Sequence, residues 1–272
     1  MPEGHTIHRY ARDHHRWFAG QELHVSSPQG RFSEGAERIS DRSLVRVEAC
    51  GKHLFYVFEG ERHEPAVVHV HLGLYGSFRL HRNPAPAPRG QIRMRCVGEE
   101  RTLDLSGPTR CEVISWHVAL QRMAKLGPDP LRKDSDPQRF FAAMAKTRRT
   151  VGATLLDQQV IAGVGNIYRA ELLFYFRLNP WTPSRELEAP TVQEIWEQAG
   201  RWLALGVRSK RIITTLDPEQ ERRWRGLPRE EATAVYRRSR CPRCQGEITR
   251  GEQANRILYW CVGCQGSAPN SR

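Results

Sequence analysis

Four cysteines near the end of the chain restrict what it can fold into more than any other feature. Cys241-Pro-Arg-Cys244 is followed, after sixteen intervening residues, by Cys261-Val-Gly-Cys264. Two C-x2-C knuckles at that separation have zinc-ribbon spacing: each offers two thiolates, and four thiolates complete a closed tetrahedral structural site. No coordination position is left open, so a single zinc ion here is expected to fold a hairpin and not to catalyse. Between the knuckles, "EITRGEQANRILYW" reads as two strands around a turn, with Arg256 near that turn. An arginine at a hairpin tip is ordinarily just solvated, but in a basic protein it can also reach a phosphate. The remaining cysteines, Cys50, Cys96 and Cys111, are scattered through apolar, strand-like sequence and are expected to be reduced and structural.

The protein is basic: 42 lysines and arginines against 30 acidic residues leave a net charge of +12. Such an excess suggests a polyanionic partner, with a generically basic soluble protein as the bland alternative. No uninterrupted apolar run approaches the roughly 18 residues needed to span a bilayer, and the first twenty residues carry charges throughout. Neither a membrane span nor a signal peptide is expected, and the chain is cytosolic by default. At 272 residues, two globular units, or one with an appendage, are expected.

Ile7, Tyr10, Ala11, His14, Trp17 and Phe18 recur at helical spacing, so residues 4 to about 19 predict an amphipathic helix closed by Gly20. Pro2 then lies just ahead of a helix N-terminus. From there to about residue 118 the pattern changes to short period-two runs: "SLVRVEAC", "HLFYVFEG", "AVVHVHLG", "SFRLHR", "QIRMRCVG", "RTLDLS" and "CEVISW". Strands at this spacing, separated by turn residues, read as a β-sandwich or barrel. "AKLGPDPLRKDSDP" interrupts every periodicity and is the expected boundary. Beyond it, the stretch from "PQRFF" through "LLFYFRL", and "TVQEIWEQAGRWLALGV", are helical in composition and period. Residues 208–238 are dense in arginine and read as a loop. The fold class is therefore α+β. Residues 1–120 are expected to form a β-sandwich with its N-terminal helix, 121–135 a linker, 136–238 a helical domain and 239–272 the zinc-ribbon hairpin.

Three further stretches carry polar or wedge-like chemistry. In "LLDQQVIAGVGNIYRAELLF" a helix is expected to end at Ala162-Gly163-Val164-Gly165, with Asn166 capping a new helix whose apolar side includes Ile167, Ala170, Leu173 and Phe174. A helix N-terminus beside a glycine turn offers N–H groups to an anion; a capped hairpin in a core is the simpler alternative. Lys52 sits at a glycine turn between two strand-like runs, where lysines are usually only solvated. Leu74 and Tyr75 lie between Gly73 and Gly76; apolar residues so placed are more often core, yet a DNA-handling protein needs such wedges to fill the gap left by an extruded base.

Taken in order, "MPEG", "GKHLF", "HLGLYG", the helix-two-turns-helix stretch and "CPRC…NRILYWCVGC" make the chain similar to one family over essentially its whole length. It resembles the Fpg/Nei (formamidopyrimidine-DNA glycosylase and endonuclease VIII) base-excision-repair glycosylases. "MPEG" and "GLYG" resemble the endonuclease VIII branch more closely. The resemblance implies a bifunctional DNA glycosylase/AP lyase. It makes Pro2 the nucleophile once Met1 is removed, Glu3 the acid/base residue and Lys52 the lysine of the catalytic pocket. It makes Asn166 and Arg256 phosphate clamps, adds His71 as a backbone contact, and assigns Leu74 and Tyr75 to fill the void in the duplex. The implied partner is double-stranded DNA containing damaged bases or abasic sites, bound by a monomer in the bacterial cytoplasm and nucleoid, with one structural zinc and no membrane association.

The implied chemistry explains the residue types. A terminal proline is a secondary amine that can attack the deoxyribose C1′ and form an iminium, which an amide nitrogen could not do. Its reference pKa is about 7.7 to 8.0, and a positive helix end and Lys52 both favour the uncharged, nucleophilic form. Where the formamidopyrimidine branch carries a loop with two arginines and a phenylalanine, this chain has "GPTRCEV", with Cys111 at the aromatic position and Arg110 retained as a DNA contact. That departure favours oxidised pyrimidines over 8-oxoguanine or formamidopyrimidines as substrates. The rival of another class is a non-catalytic zinc-containing nucleic-acid-binding protein, which has no need of a Pro-Glu pair at its start.

Overall fold

The computed structural model describes residues 2–60 and 64–269, which divide into two compact units. One comprises residues up to Glu3 and Ile7–Lys125; the other comprises Gly4–Thr6 and the chain from Leu126 onward.

The helix α1 spans Gly4–Phe18, its first turn (Gly4–Thr6) belonging to the second unit and the rest to the first, which continues through β1 (Glu22–Ser26), α2 (Ser33–Ile39), β2 (Arg42–Cys50), β3 (His53–Phe58), β4 (Ala66–His71), β5 (Ser77–Arg82), β6 (Ile92–Val97), β7 (Arg101–Ser106), β8 (Arg110–Ser115) and α3 (Trp116–Ala124). All strand pairings are antiparallel, in the order β5-β7-β6-β1-β2-β3-β4-β8. The short β1 joins a three-stranded half, β5-β7-β6, to a four-stranded half, β2-β3-β4-β8: Glu22 and Leu23 pair with β2, then His24–Ser26 with β6. The halves face each other, because Tyr56 of β3 and Phe78 of β5 have ring centroids only 6.4 Å apart although their strands are far apart in the order. The expected sandwich is thus one sheet folded over a single core, which Leu23, Val25, Met94 and Leu103 enter from one half and Leu44, Leu54, Phe58 and Val70 from the other. The apolar stripe of α1, including Ile7, Ala11 and Phe18, packs into the same core. β1 and α2 carry too short a pattern for the sequence to announce them.

The second unit contains α4 (Gln138–Lys146), α5 (Val151–Thr154), α6 (Asn166–Tyr175), α7 (Ala189–Ser209), β9 (Ile248–Gln253), β10 (Arg256–Cys261) and α8 (Val262–Gln265). Its core is continuous: Phe140 of α4, Leu172 and Leu173 of α6, Ile195 and Trp202 of α7, and Leu258 and Trp260 of the hairpin belong to one buried cluster. Two sequence expectations need correction. The stretch before Ala162 is not a continuous helix, since α5 is a single turn and residues 155–165 are turns. Polar side chains there replace helical backbone bonds: Gln158 accepts from Gly163 N at 3.0 Å and donates to Val164 O at 2.8 Å, while Asp157 accepts from Gln159 N. Residues 208–238 are also not a plain loop. They contain a 3-10 helix (Pro218–Gly226), and Ile213, Leu216 and Ala232 pack with Leu205 of α7 into a small core of their own. Among the described residues no helix is long and apolar enough to cross a membrane.

Candidate active site and metal centre

At the head of α1, Pro2 is half-buried and Glu3 is fully buried, with extended backbone angles at Glu3 immediately before the helix. Met1, whose removal is expected to free Pro2, lies outside the described residues. Gly4 starts the helix under tight constraint. Its N–H donates to Gly163 O at 2.8 Å, and a Cβ on it would come within 2.7 Å of Gly163 Cα, so the glycine of "MPEG" is required by close backbone approach.

Lys52, half-buried, occupies the turn between β2 and β3. At the same end of the sheet, His53, His71 and Arg110 are direct register partners across β3, β4 and β8. His71 Nδ1 accepts from Gly73 N at 3.2 Å and lies 2.9 Å from Thr109 Oγ1. Burial lowers the His71 pKa, and neighbouring Lys52 and Arg110 lower it further. Arg110 is exposed and donates to Glu112 at 3.0 Å. The next turn projects Leu74 and Tyr75 outward, 46% and 88% exposed, which removes the core alternative for both.

In the second unit, Asn166 does not cap α6 as expected. Gly165 takes the cap position and Asn166 is the first helical residue, because its side chain is engaged elsewhere: Nδ2 donates to Ile257 O at 2.8 Å and Oδ1 accepts from Arg169 at 2.7 Å. Buried Arg169 also reaches the Gln253 carbonyl at 3.3 Å, so α6 and the C-terminal hairpin are fastened together. Ala254 and Asn255, both at positive φ, form the two-residue turn that Gln253 and Arg256 close, leaving Arg256 exposed at the first position of β10. Beneath the hairpin, the four sulfurs of Cys241, Cys244, Cys261 and Cys264 lie within 4.8 Å of one another, with pairs at 3.7 and 3.4 Å. Sulfurs about 2.3 Å from a tetrahedral zinc stand about 3.8 Å apart, so the quartet has the donors and spacing to hold a metal ion.

Several groups escaped sequence reasoning. Glu171 anchors residues 214–236, and Gln158 holds the turn at Gly163. The network of His53, His69, Glu112 and Arg122 lies behind Lys52 and His71. Only the last carried a signal, the period-two recurrence of histidine in "HVH", which places His69 and His71 on one face.

Residues 1–111 match the formamidopyrimidine-DNA glycosylase N-terminal domain, and residues 126–217 the formamidopyrimidine-DNA glycosylase H2TH domain. "Endonuclease 8 1" of Mycobacterium tuberculosis is 45% identical over 271 residues, spanning 97% of this chain and 100% of that protein. The chain belongs to the Fpg/Nei family. Formamidopyrimidine-DNA glycosylase of Thermus thermophilus is 33% identical over 84% of each chain, so the Nei-like branch is the nearer of these two. Lactococcus lactis Fpg in complex with DNA containing N7-benzyl-Fapy-dG has the same fold, with a TM-score of 0.80 at 20% identity over 98% of this chain and 100% of that one. As an Fpg/Nei member, the protein is a DNA glycosylase/AP lyase of base-excision repair.

Proposed function

We propose that this enzyme excises oxidised pyrimidines from double-stranded DNA and then nicks the strand at the abasic site. With Met1 removed, the Pro2 nitrogen attacks C1′ of the flipped nucleotide, and the bond to the base breaks as the base leaves with its electron pair. Glu3 protonates the sugar ring oxygen as the ring opens to the iminium. Loss of a C2′ proton expels the 3′ phosphate, and a second elimination expels the 5′ phosphate. Lys52 serves the catalytic pocket, and His71, Arg110, Asn166 and Arg256 contact the DNA, chiefly its phosphates. Leu74 and Tyr75 fill the space vacated by the flipped base, whose extrusion costs a few kcal/mol and least for a damaged base. One zinc on Cys241, Cys244, Cys261 and Cys264 holds the hairpin that presents Arg256. The enzyme acts as a cytoplasmic monomer.

The observation that carries this reading is the burial of Glu3, 0% exposed and directly after Pro2. A carboxyl group shielded from water next to a secondary amine suits proton transfer to a departing sugar oxygen. The test is borohydride trapping on duplexes carrying thymine glycol, 8-oxoguanine or an abasic site. Wild type is expected to form a covalent adduct, fastest on thymine glycol among the base lesions, and Pro2→Gly to form none. Glu3→Gln is expected to lose base excision. An adduct that persists in Pro2→Gly would remove the proline from its role, and faster trapping on 8-oxoguanine would overturn the pyrimidine preference.

A further inference from the structure

The row of side chains that ends β3, β4 and β8 has one member with no role so far. His53, His71 and Arg110 are register partners and share a face of the sheet, and Lys52 directly precedes His53. The next row on that face is Phe55, His69 and Glu112, and the Phe55 and His69 rings are stacked 4.8 Å apart and 7° from parallel. Arg122 of α3 lies over this second row, 2.6 Å from His69 Nδ1 and 2.5 Å from Glu112 Oε1. His69 Nε2 in turn lies 2.8 Å from His53 Nδ1.

The direction of each hydrogen bond follows from donor chemistry. A guanidinium only donates, so His69 Nδ1 accepts from Arg122 and the neutral ring carries its proton on Nε2. That N–H donates to His53 Nδ1, which leaves the neutral His53 ring protonated on Nε2. Burial, reinforced by the cations and imidazoles nearby and opposed at His69 by the Glu112 carboxylate 3.6 Å from Nδ1, keeps both rings neutral, with pKa values pushed down to about 4 at His69 and about 3 at His53. His71 reaches the same state by another route, since the Gly73 N–H makes its Nδ1 an acceptor. Two imidazoles with centroids 4.8 Å apart therefore both carry an Nε2–H donor, flanked by Lys52 and Arg110. A row built of donors and cations matches the oxygens of a phosphodiester.

We propose that His53 is a DNA-phosphate ligand of this enzyme, beside His71, and that His69, Arg122 and Glu112 are positioning residues that fix its tautomer. The inference rests on the glycosylase function proposed above. A neutral donor adds affinity without releasing a counterion, so its loss leaves the salt dependence of binding unchanged, whereas loss of a phosphate-bound arginine reduces the slope by about one.

The test measures binding to a duplex with a tetrahydrofuran abasic-site analogue, repeated on duplexes in which single phosphates are replaced by methylphosphonate. His53→Phe, which keeps the ring stack, is expected to bind about tenfold more weakly with an unchanged salt slope. His53→Gln, whose amide restores a donor near Nε2, is expected to recover most of that loss. On one methylphosphonate duplex the difference between wild type and His53→Phe should disappear. A His53→Phe variant that binds like wild type, or whose deficit is the same on every duplex, overturns the proposal while leaving the glycosylase intact; wild type that binds no duplex overturns both. Nitrogen-15 spectra of the wild-type imidazoles check the relay without any variant: a proton on His53 Nε2 supports it, and one on Nδ1 overturns it.

Discussion

Glu171 shows how much of a fold can depend on one residue that a sequence pattern passes over. Its carboxylate, 1% exposed, accepts from the N–H groups of Ala234, Val235 and Tyr236 at 2.6, 2.9 and 2.8 Å and from the Thr214 hydroxyl at 2.6 Å. Glu171→Ala would leave those donors without their acceptor, so it is expected to cost at least about 3 kcal/mol. Urea unfolding would show a lowered midpoint, and the amides of residues 234–236 would lose hydrogen-exchange protection before the rest of the unit. In "RAELLF" this glutamate looks like any polar helix position, because its partners lie 43 to 65 residues further along. Asn166 was misassigned as a cap for the same reason: residue type suits it to capping, but the Ile257 carbonyl that claims its side chain is 91 residues away. Local chemistry was legible where its partners are close in sequence, as in the four cysteines, and illegible where the fold supplies them.

Among the elements, the hairpin of β9 and β10 is where local pattern and tertiary structure agree best. The knuckle spacing, the two strands and the turn before Arg256 could all be read directly, and Gln253 pairs with Arg256 across Ala254 and Asn255. What could not be read is that Leu258 and Trp260 enter the core of α4, α6 and α7. Chelation should therefore do more than unfold a tip. Structural zinc contributes on the order of 10 kcal/mol or more to such a fold, so removal of the zinc proposed for the four cysteines should release the hairpin together with the Trp260–Trp181 edge contact at 4.8 Å. Tryptophan fluorescence is expected to shift, and borohydride trapping to fall to background; added zinc should restore both. Fluorescence that stays unchanged after complete metal removal would show that the core alone holds the hairpin. The strands of the first unit were mostly legible from their alternation, whereas α5 was overextended because Asp157 and Gln158 convert a helix-like pattern into turns.

For the molecule as a whole, the net charge of +12 was visible from composition, but the histidines that make the fold sensitive to acid were not. His14 is 1% exposed, its Nδ1 lies 2.7 Å from the Tyr56 hydroxyl, and burial first, then Arg9, pushes its pKa down to about 3. His53 and His69 are depressed to about 3 and about 4. All three fall below the value near 6.5 that a histidine has in an unfolded chain, so between that pH and about 4 the unfolded state binds more protons than the folded state. The sign follows: the full contribution is present above pH 6.5, and stability is lost as the pH falls through that window, by at most about 1.4 kcal/mol per pH unit for each histidine. Melting temperature measured from pH 8 to pH 4 is expected to be level down to about 6.5 and then to decline with increasing slope. His14→Gln, which cannot take up a proton in either state, should melt lower at pH 8 but decline less steeply on acidification. Its curve crossing or approaching that of wild type near pH 4 would confirm the proton count, and parallel curves over the whole range would show that His14 is not among the groups that titrate on unfolding.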